Sequence, residues 1–503
     1  MDLSRGEGMK KTLSGWYFKV KNALYFLLAA LFIWVTCMGL VSCKKTANVH
    51  TRYEINAEYV PENATLTGAM KVTFENKTES EISILKFQLY ANAYRKDAMQ
   101  KPISPLNEQT AYYAGESYGE MVISSVSGAK SWEVMGQDEN ILYVCLTQSV
   151  FPNEKVVVDI AFLLKLANVN HRTGVTEKTV NLGNFFPILC GIKDGGFCEI
   201  LYHAIGDPFY QDCADVSLSL TLPKDYVVAA SGDLERERVL ETKKEYVFSA
   251  SNVRDFAVVL SRHFHVLTAK AGGNDIYYYY YNDAKAEERL ALAVEAFEYF
   301  ENTFGEYPYL KYSLVQTGLC LGSETYPALA MVSDRLDGQA LVRAVAKETA
   351  QQWWGVVVGS DQIENAWQHE GLSEYSAAVF FENYEKYAIT REGIVGDALK
   401  EYRAYYDVYG SVLGRTDTKM VRPLGAFVSE FEYRCLEIDK PLVMLDTLRK
   451  SVGDDAFFKG LKRYYKDNRF SMATAEHWIG AFEKSGLDVR GFFESFLYGK
   501  AVL

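Results

Sequence analysis

The sequence lacks the marks of several common protein classes. Its 503 residues hold only eight cysteines, and no two of them form a C-x-x-C pair, which argues against a disulfide-built scaffold, a zinc ribbon and a thioredoxin-type site. No basic patch runs along the chain, and acidic residues outnumber basic ones by 65 to 53, a net charge of −12. We therefore expect no nucleic-acid partner. A P-loop, an internal repeat and a proline- or serine-rich linker are also missing.

Hydrophobic residues, by contrast, are plentiful. They make up 49% of the chain, and aromatic residues make up 14%. This composition is enough for a large core and excludes extended low-complexity disorder. A chain of this length is typical of two or three domains.

Residues 1–43 have the pattern of an export signal. A basic stretch precedes an uncharged apolar run from Ala23 to Ser42, and a lysine pair follows. The run ends in Leu-Val-Ser-Cys43, which resembles a bacterial lipobox whose cysteine is lipidated. At about 20 residues the run is also long enough to cross a bilayer uncleaved. Either anchor, a lipid or a transmembrane helix, predicts that residues 44–503 lie at the extracytoplasmic face of the cell membrane.

The exported part divides into two regions with different patterns of apolar and polar residues. In residues 49–267, short apolar stretches alternate with turn signals, and Val216–Leu222 alternates strictly between apolar and polar residues. We expect an N-terminal β-sandwich-like domain there. Residues 268–503 combine a few strands with long amphipathic helices, one of them predicted over Leu336–Val357. The predicted fold class is therefore α+β.

Two cysteines of the first region, Cys190 and Cys198, flank a glycine-rich loop. In an exported protein they can form a disulfide, and two unpaired thiols are an equal alternative. The sequence leaves both open.

Three segments of the second region belong together: GSETYPAL at 322–329, KETAQQWWG at 347–355 and NAWQHEGLSEYS at 365–376. With these segments the sequence resembles the aminopeptidase N family of zinc metallopeptidases, which are gluzincins. LYANAY at 89–94 and GDPFY at 206–210 resemble the family's β domain, so the likeness covers nearly the whole exported chain. The resemblance implies a β-sandwich domain followed by a thermolysin-like, mostly helical domain, without the family's C-terminal helical array.

The family's zinc site is an H-E-x-x-H motif followed, after eighteen residues, by a glutamate. The two histidines and this glutamate hold the metal, and the glutamate inside the motif is the general base for water. At the matching positions this chain has Lys347, Glu348, Gln351 and Glu370. Intact flanking Gln-Trp-Trp and Glu-Gly-Leu residues fix the register. The resemblance therefore implies that the general-base position and one ligand are kept and that two ligands are replaced.

Two positions of the substrate cleft also depart from the family. Its G-G-M-E-Y-P strand carries a glutamate that binds the substrate's α-amine, and here Thr325 takes that place beside Tyr326. Glu324 is adjacent, but neighbours in a strand point to opposite faces. The family's catalytic tyrosine stands two residues before a Lys-Gly, where this chain has Ile438. Tyr433, five residues earlier, is expected to lie out of reach.

Lys347 indicates what replaces the metal. A protonated ammonium has no lone pair to give a metal, and Glu348 and Glu370 would otherwise be close carboxylates without a cation. We expect Lys347 to pair with Glu370, and Gln351 to donate an amide hydrogen bond to the same carboxylate. On this interpretation no metal and no other cofactor is expected. The alternative is a rebuilt zinc site on Glu348, Glu370 and His369.

These departures favour one functional hypothesis over two others. The chain would be a membrane-tethered, extracytoplasmic pseudopeptidase with a vestigial Glu348. Its cleft, lined by Thr325, Tyr326, Ile438 and His369, would bind a peptide or a protein without cleaving it. The first alternative is an active metallopeptidase with a rebuilt metal site and zinc as its cofactor. The second is a structural subunit of a membrane complex whose cleft is filled by side chains.

Overall fold

The structure is a computed structural model that describes residues 51–414 and 416–503. The predicted signal or anchor segment, residues 1–43 with Cys43, lies outside the described residues. Within them, no helix combines the length and the apolar composition that a membrane span needs. The described residues pack as one compact unit.

The first region is built from strands joined by short turns. In chain order the strands are β1 (Thr51–Val60), β2 (Thr65–Glu75), β3 (Ile82–Gln88), β4 (Glu120–Ser127), β5 (Ala129–Met135), β6 (Ile141–Val150), β7 (Lys155–Lys165), β8 (Thr173–Val175), β9 (Val180–Leu182), β10 (Ile188–Leu189), β11 (Ile192–Lys193), β12 (Gly196–Phe197), β13 (Ala214–Pro223), β14 (Val227–Ala230), β15 (Asp233–Val239), β16 (Lys243–Val253) and β17 (Val258–Ser261). A four-residue helix, α1 (Glu108–Ala111), lies between β3 and β4.

Most of these strands belong to three sheets. Seven form one sheet in the order β15-β16-β13-β1-β2-β7-β4, and two four-stranded sheets have the orders β10-β3-β6-β5 and β14-β17-β9-β8. In β13 the apolar residues of the alternating stretch are buried, and the residues between them are partly exposed. This period of two turns one face of the strand towards the core. A single apolar cluster joins residues of all three sheets.

The second region begins with a five-stranded sheet in the order β18-β19-β20-β22-β21. Its strands are β18 (His265–Ala271), β19 (Asn274–Tyr280), β20 (Lys311–Thr317), β21 (Ser323–Tyr326) and β22 (Leu329–Ser333). Strands β19, β20 and β22 run parallel, and β21 is an antiparallel strand at the edge of the sheet.

Helices make up most of the rest. They are α2 (Ala286–Phe304), α3 (Gly338–Gln351), α4 (Trp367–Asn383), α5 (Arg391–Leu413), α6 (Glu430–Tyr433), α7 (Lys440–Val452), α8 (Asp454–Asn468), α9 (Ala475–Glu483) and α10 (Arg490–Leu497). A π-helical turn, Arg434–Asp439, joins α6 to α7. Two short strands, β23 (Gly359–Ser360) and β24 (Met472–Ala473), pair in parallel.

Helix α3 carries three of the residues singled out in the sequence, and it is shorter than predicted. The expected helix over Leu336–Val357 ends at Gln351 instead. The chain then turns through the buried Trp353 and reverses at Gly355, whose φ of 102° lies in the left-handed region that favours glycine. Apolar periodicity continued through this turn, so the sequence pattern alone did not mark the end of the helix.

Helix α4 lies against α7 at very short range. A Cβ atom built on Gly371 would lie 2.4 Å from the Cβ of Pro441. Only glycine permits this approach. The close packing against α7 fixes the position of the first turn of α4, which carries Glu370.

The sheet-rich first region and the mostly helical second region confirm the predicted α+β class. The boundary between residues 49–267 and 268–503 stays a prediction, and so does the missing C-terminal helical array. Cys190 and Cys198, which the sequence left open, are free thiols.

Candidate functional site

The predicted ion pair between α3 and α4 is present. The Nζ atom of Lys347 lies 2.8 Å from Oε2 of Glu370 and 3.8 Å from Oε1 of Glu348. Burial lowers the pKa of Lys347, but the carboxylates of Glu370, Glu348 and Glu374 outweigh it and raise that pKa above its usual value. Lys347 therefore stays charged at neutral pH, between two buried carboxylates.

Glu348 is fully engaged by hydroxyl groups of the edge strand β21. Ser323 donates from Oγ to Oε1 at 2.8 Å, and Thr325 donates from Oγ1 to Oε2. The side chain is 1% exposed. Burial raises its pKa, although Lys347 and the two hydroxyls act in the opposite direction. Both oxygens of the residue at the general-base position are thus occupied by donors of the protein itself.

Glu324 lies on the opposite face of β21, as the strand period predicted. Its carboxylate pairs with Nη2 of Arg172 at 2.8 Å, and Nη1 of the same guanidinium pairs with Asp207 at 2.9 Å. Burial raises the pKa of Glu324, against the effect of Arg172. Arg172 is missing from the sequence prediction, because a single arginine in the strand-rich region carries no motif. Asp207 lies in the GDPFY segment that supported the resemblance, but without an assigned role.

His369 is completely buried next to Asp207 and Glu370. Its Nε2 atom lies 3.7 Å from Oδ2 of Asp207 and 4.0 Å from Oε1 of Glu370, and it makes no hydrogen bond within the described residues. Its Nδ1 atom lies 3.4 Å from Oγ of Ser360. Burial raises the pKa of Asp207, but Arg172 and His369 reverse this and hold it below its ordinary value. Asp207, His369 and Glu370 are close enough to form a candidate metal group.

A cavity of about 620 Å³, counted to its open mouth, lies beside these charges. Thr325 and Tyr326 line it, as predicted, and so does Gln351. In the described chain the amide of Gln351 makes no hydrogen bond to Glu370, contrary to our expectation. It belongs to the cavity wall instead.

The two other predicted cleft residues, His369 and Ile438, are not part of the cavity wall. His369 is enclosed by other side chains, and Ile438 is partly buried within the π-helical turn Arg434–Asp439. A π-helical turn has more residues than an α-helical one, so it rotates side chains away from the positions that an α-helical pattern predicts.

Tyr433 lies closer to the site than we expected. Its ring contacts the backbone at Gly206, next to Asp207, and its buried hydroxyl has no hydrogen-bond partner among the described residues. Burial raises the pKa of Tyr433, and the carboxylates of Glu370 and Asp207 raise it further. The phenol is therefore close enough to respond to the charges of the site, although it is not at the family's tyrosine position.

A further catalytic motif occurs elsewhere without its structural context. Residues 115–119 read G-x-S-x-G, the pattern of a nucleophile elbow between a strand and a helix. Here Ser117 lies in a loop, and its Oγ accepts a hydrogen bond from the backbone of Asn168 at 2.8 Å. Ser117 does not lie on the strand-to-helix turn that a nucleophile elbow requires.

Comparison with known families agrees with this arrangement. Residues 288–496 match the family profile described as Peptidase family M1 domain. Over these residues the chain is similar to that family. Aminopeptidase 2, mitochondrial, of Saccharomyces cerevisiae is 23% identical over 300 residues, which cover 54% of this chain and 30% of that protein. Aminopeptidase N of Lactococcus lactis subsp. lactis is 25% identical over 258 residues, covering 46% and 29%. The matched stretch thus spans less than a third of these relatives' length.

Solved structures extend the likeness to both regions. The M1 zinc metallopeptidase from Deinococcus radiodurans aligns with a TM-score of 0.65 at 15% identity, over 90% of this chain and 95% of that chain. A mutant of the same enzyme, bound to a Tyr-Ser-Ala substrate, aligns with a TM-score of 0.60. At this identity the likeness establishes the fold. The resemblance to aminopeptidase N-like gluzincins is confirmed.

The M1-like stretch of this chain does not offer a zinc ion the donors that the resemblance assigns to the family's site. Zinc takes thiolate, imidazole and carboxylate ligands. Lys347 instead places a charged nitrogen 2.8 Å from Glu370, and a charged ammonium cannot coordinate a metal. Gln351, at the second histidine position, contributes only a neutral amide to the cavity wall. Of the three positions that the resemblance assigns to the zinc ligands, only Glu370 has a side chain of the right chemistry.

Proposed function

We propose that this chain is a non-catalytic relative of the M1 aminopeptidases whose cavity binds short peptides without cleaving them. The observation that carries the proposal is the Lys347–Glu370 ion pair at 2.8 Å. It places a fixed monovalent cation of the protein where the family places a divalent metal.

The state of Glu348 supports the same conclusion. A general base needs a carboxylate oxygen that is free to take a proton from water. Both oxygens of Glu348 accept hydrogen bonds from Ser323 and Thr325. The metal position and the base position are therefore both satisfied internally, and neither is available for hydrolysis.

The cavity supports retained binding. It is bordered by charged and amide side chains, namely Asp207, Arg254, Glu324, Gln211, Gln351 and Gln362. Concave sites with a few polar groups that converge on the interior are typical of ligand pockets. The structural neighbour from Deinococcus radiodurans has been captured with Tyr-Ser-Ala, and we extend this ligand class to the present chain.

The test uses the full-length protein, purified in detergent without chelator, and the tripeptide Tyr-Ser-Ala. We expect saturable binding by calorimetry and intact tripeptide by mass spectrometry, with and without added Zn²⁺. Metal-dependent cleavage that the Glu348→Gln variant abolishes would overturn the non-catalytic proposal. Absence of binding would overturn the peptide-binding proposal and favour a purely structural subunit.

A second candidate function rests on the unpartnered Nε2 atom of His369. Together with Asp207 and Glu370 it could form a rebuilt metal site for a hydrolase. Two ion pairs argue against a metal there, because Asp207 is already paired with Arg172 and Glu370 is already paired with Lys347. Elemental analysis of the full-length protein decides between the two candidates. One tightly bound zinc per chain that is lost in His369→Ala would favour the hydrolase.

We also propose that the protein is held at the extracytoplasmic face of the membrane by residues 1–43. Radiolabelled palmitate should label the wild type and not Cys43→Ser if the anchor is a lipid. An unlabelled wild type that still sediments with membranes would assign the anchor to the apolar run. Recovery of the wild type in the soluble fraction would contradict both forms of anchoring.

A further inference from the structure

Arg254 stands out among the charged residues of the cavity wall. The other arginine of this site, Arg172, forms salt bridges to both Asp207 and Glu324. Arg254 lines the cavity, but in residues 51–414 and 416–503 no carboxylate oxygen lies within 4.0 Å of its guanidinium. Arg172, which pairs with two acids of the cavity wall, thus has its charge compensated, and Arg254 has no acidic partner in the described chain.

The hydrogen bonds of Arg254 leave much of its donor capacity unused. Nη2 donates to the carbonyl oxygen of Ser471 at 2.7 Å, and Nη1 donates to that of Gln211 at 3.3 Å. Nη1 also lies 3.0 Å from the thioether sulfur of Met472, which is a weak acceptor. The buried Nε–H group has no partner in the described chain. A guanidinium carries five N–H donors in a rigid fork. All the acceptors that Arg254 contacts in the described chain are neutral.

The neighbouring acid does not compensate this charge. Asp255 follows Arg254 in sequence and also lines the cavity. Its carboxylate, however, accepts hydrogen bonds from the backbone of Phe256 at 2.6 Å and from the amide of Asn184. Gln211 adds an unpaired Oε1 atom, buried at the same wall. Polar groups without protein partners therefore converge at this end of the cavity.

The backbone of β23 keeps the guanidinium of Arg254 in place. A Cβ atom built on Gly359 would lie 2.2 Å from Cζ and 2.3 Å from Nε of Arg254. The guanidinium rests directly on a residue without a side chain, and it would have to move if a methyl group were added there.

The acidic wall completes the charge pattern. Asp207 and Glu324 both pair with Arg172, so this wall offers a ligand no free positive charge, whereas the end at Arg254 has a guanidinium without an acidic partner in the described chain. A ligand with an anionic group fits that end of the cavity. A carboxylate matches the fork of a guanidinium with two parallel hydrogen bonds.

On the basis of the proposed function, we propose that Arg254 binds the free C-terminal carboxylate of a short peptide in this cavity. The ligands would then be short peptides with an unblocked carboxyl end, and chain-internal or amidated segments would bind more weakly.

The test compares Tyr-Ser-Ala with its C-terminal amide on the full-length wild type by calorimetry. We expect the amide to bind about tenfold weaker or worse, because it offers no charge to the guanidinium. Equal affinities would overturn this inference and leave the proposed function intact. Failure of both peptides to bind would overturn the proposed function, and this inference with it.

Two variants locate the effect. Arg254→Gln should bind Tyr-Ser-Ala and its amide with equal affinity. Gly359→Ala should reduce the difference between the two affinities, because the added methyl group displaces the guanidinium. Thermal unfolding curves identify any variant that fails to fold, and the comparison on the wild type does not depend on either variant. A preference that survives in both folded variants would assign the carboxylate to another residue.

The carboxylate bound by Arg254 could also belong to an acidic side chain of the peptide. A third peptide distinguishes a side-chain carboxylate from a C-terminal one. Tyr-Ser-Glu amide has a side-chain carboxylate and a blocked carboxyl end. We expect it to bind as weakly as the Tyr-Ser-Ala amide. Affinity equal to that of free Tyr-Ser-Ala would overturn the assignment to the C-terminal carboxylate.

Discussion

The site has a closed half and an open half. In the closed half, formed by Lys347, Glu348 and Glu370, each charge has an opposite charge or a hydroxyl donor of the protein next to it. In the open half, formed by Arg254 and Gln211, the guanidinium has no acidic partner, and Nε of Arg254 and Oε1 of Gln211 have no hydrogen-bond partner in the described chain. A charge that is compensated within the protein is costly to uncover, whereas a charge without a partner is available to a ligand. On the proposed function, this difference lets the scaffold bind a peptide without hydrolysing it.

The largest expected effect tests the closed half. Lys347→Met removes the cation and leaves two carboxylates buried, so we expect the free energy of unfolding to fall by about 3–5 kcal/mol. Chemical denaturation measures it. The control is Lys386→Met, which breaks an exposed ion pair with Glu295 and should cost less than about 1 kcal/mol. Equal losses in the two variants would show that the closed half is not a compensated charge cluster.

The pH dependence of stability tests whether the charge of Arg254 is neutralised by the carboxylate of Asp255. Burial raises the pKa of Asp255 from 3.8 to about 7. The folded state then holds this proton more tightly than the unfolded state, so stability is highest at low pH and is lost as the pH rises from about 4 to about 7. The slope reaches at most about 1.4 kcal/mol per pH unit.

The measurement for this effect is the unfolding free energy of wild type and Asp255→Asn at pH 5 and pH 7. Asp439, whose pKa burial also raises to about 7, contributes equally to both proteins and cancels in the difference. We expect a smaller decline in the variant. An identical decline would mean that Asp255 is already ionised, as it would be if Arg254 neutralised it.

The smallest effect concerns the hydroxyl groups on Glu348. Ser323→Ala should destabilise the protein by about 1 kcal/mol, because a buried carboxylate oxygen loses a donor. Ser451→Ala is the matched control, since that hydroxyl bonds only to a carbonyl on the exposed side of α7, and its loss should cost less than about 0.5 kcal/mol. If both changes are equally small, Glu348 is less tightly engaged than the structure indicates.

Local spacing accounts for what the sequence predicted well. Lys347 and Glu348 are neighbours on one helix, and the alternating faces of β21 separated Thr325 from Glu324 without any knowledge of the tertiary fold. The helix-to-glutamate interval of the family resemblance then brought Glu370 to Lys347. Periodicity and a known motif were sufficient for the Lys347–Glu370 pair, but not for the hydroxyl donors of Glu348.

The positions of Arg172 and Arg254 were not predictable in this way. Arg172 meets Glu324 across 152 residues of chain, and Arg254 meets Ser471 across 217. Neither arginine has a motif or a period around it. The position of Tyr433 was missed for a related reason, because its approach to the site depends on how the π-helical turn and Gly206 pack, and not on its distance from Ile438 in sequence.

The bridge from Arg172 to Glu324 also bears on how such a protein can be divided. The stretch that matches the M1 family profile spans residues 288–496, but Arg172, Asp207 and Arg254 all precede it. A shuffled or transplanted copy of that stretch alone would keep Lys347, Glu348 and Glu370 and lose both Arg172 and Arg254. On the proposed function, the heritable unit of binding is therefore larger than the stretch that the family profile matches.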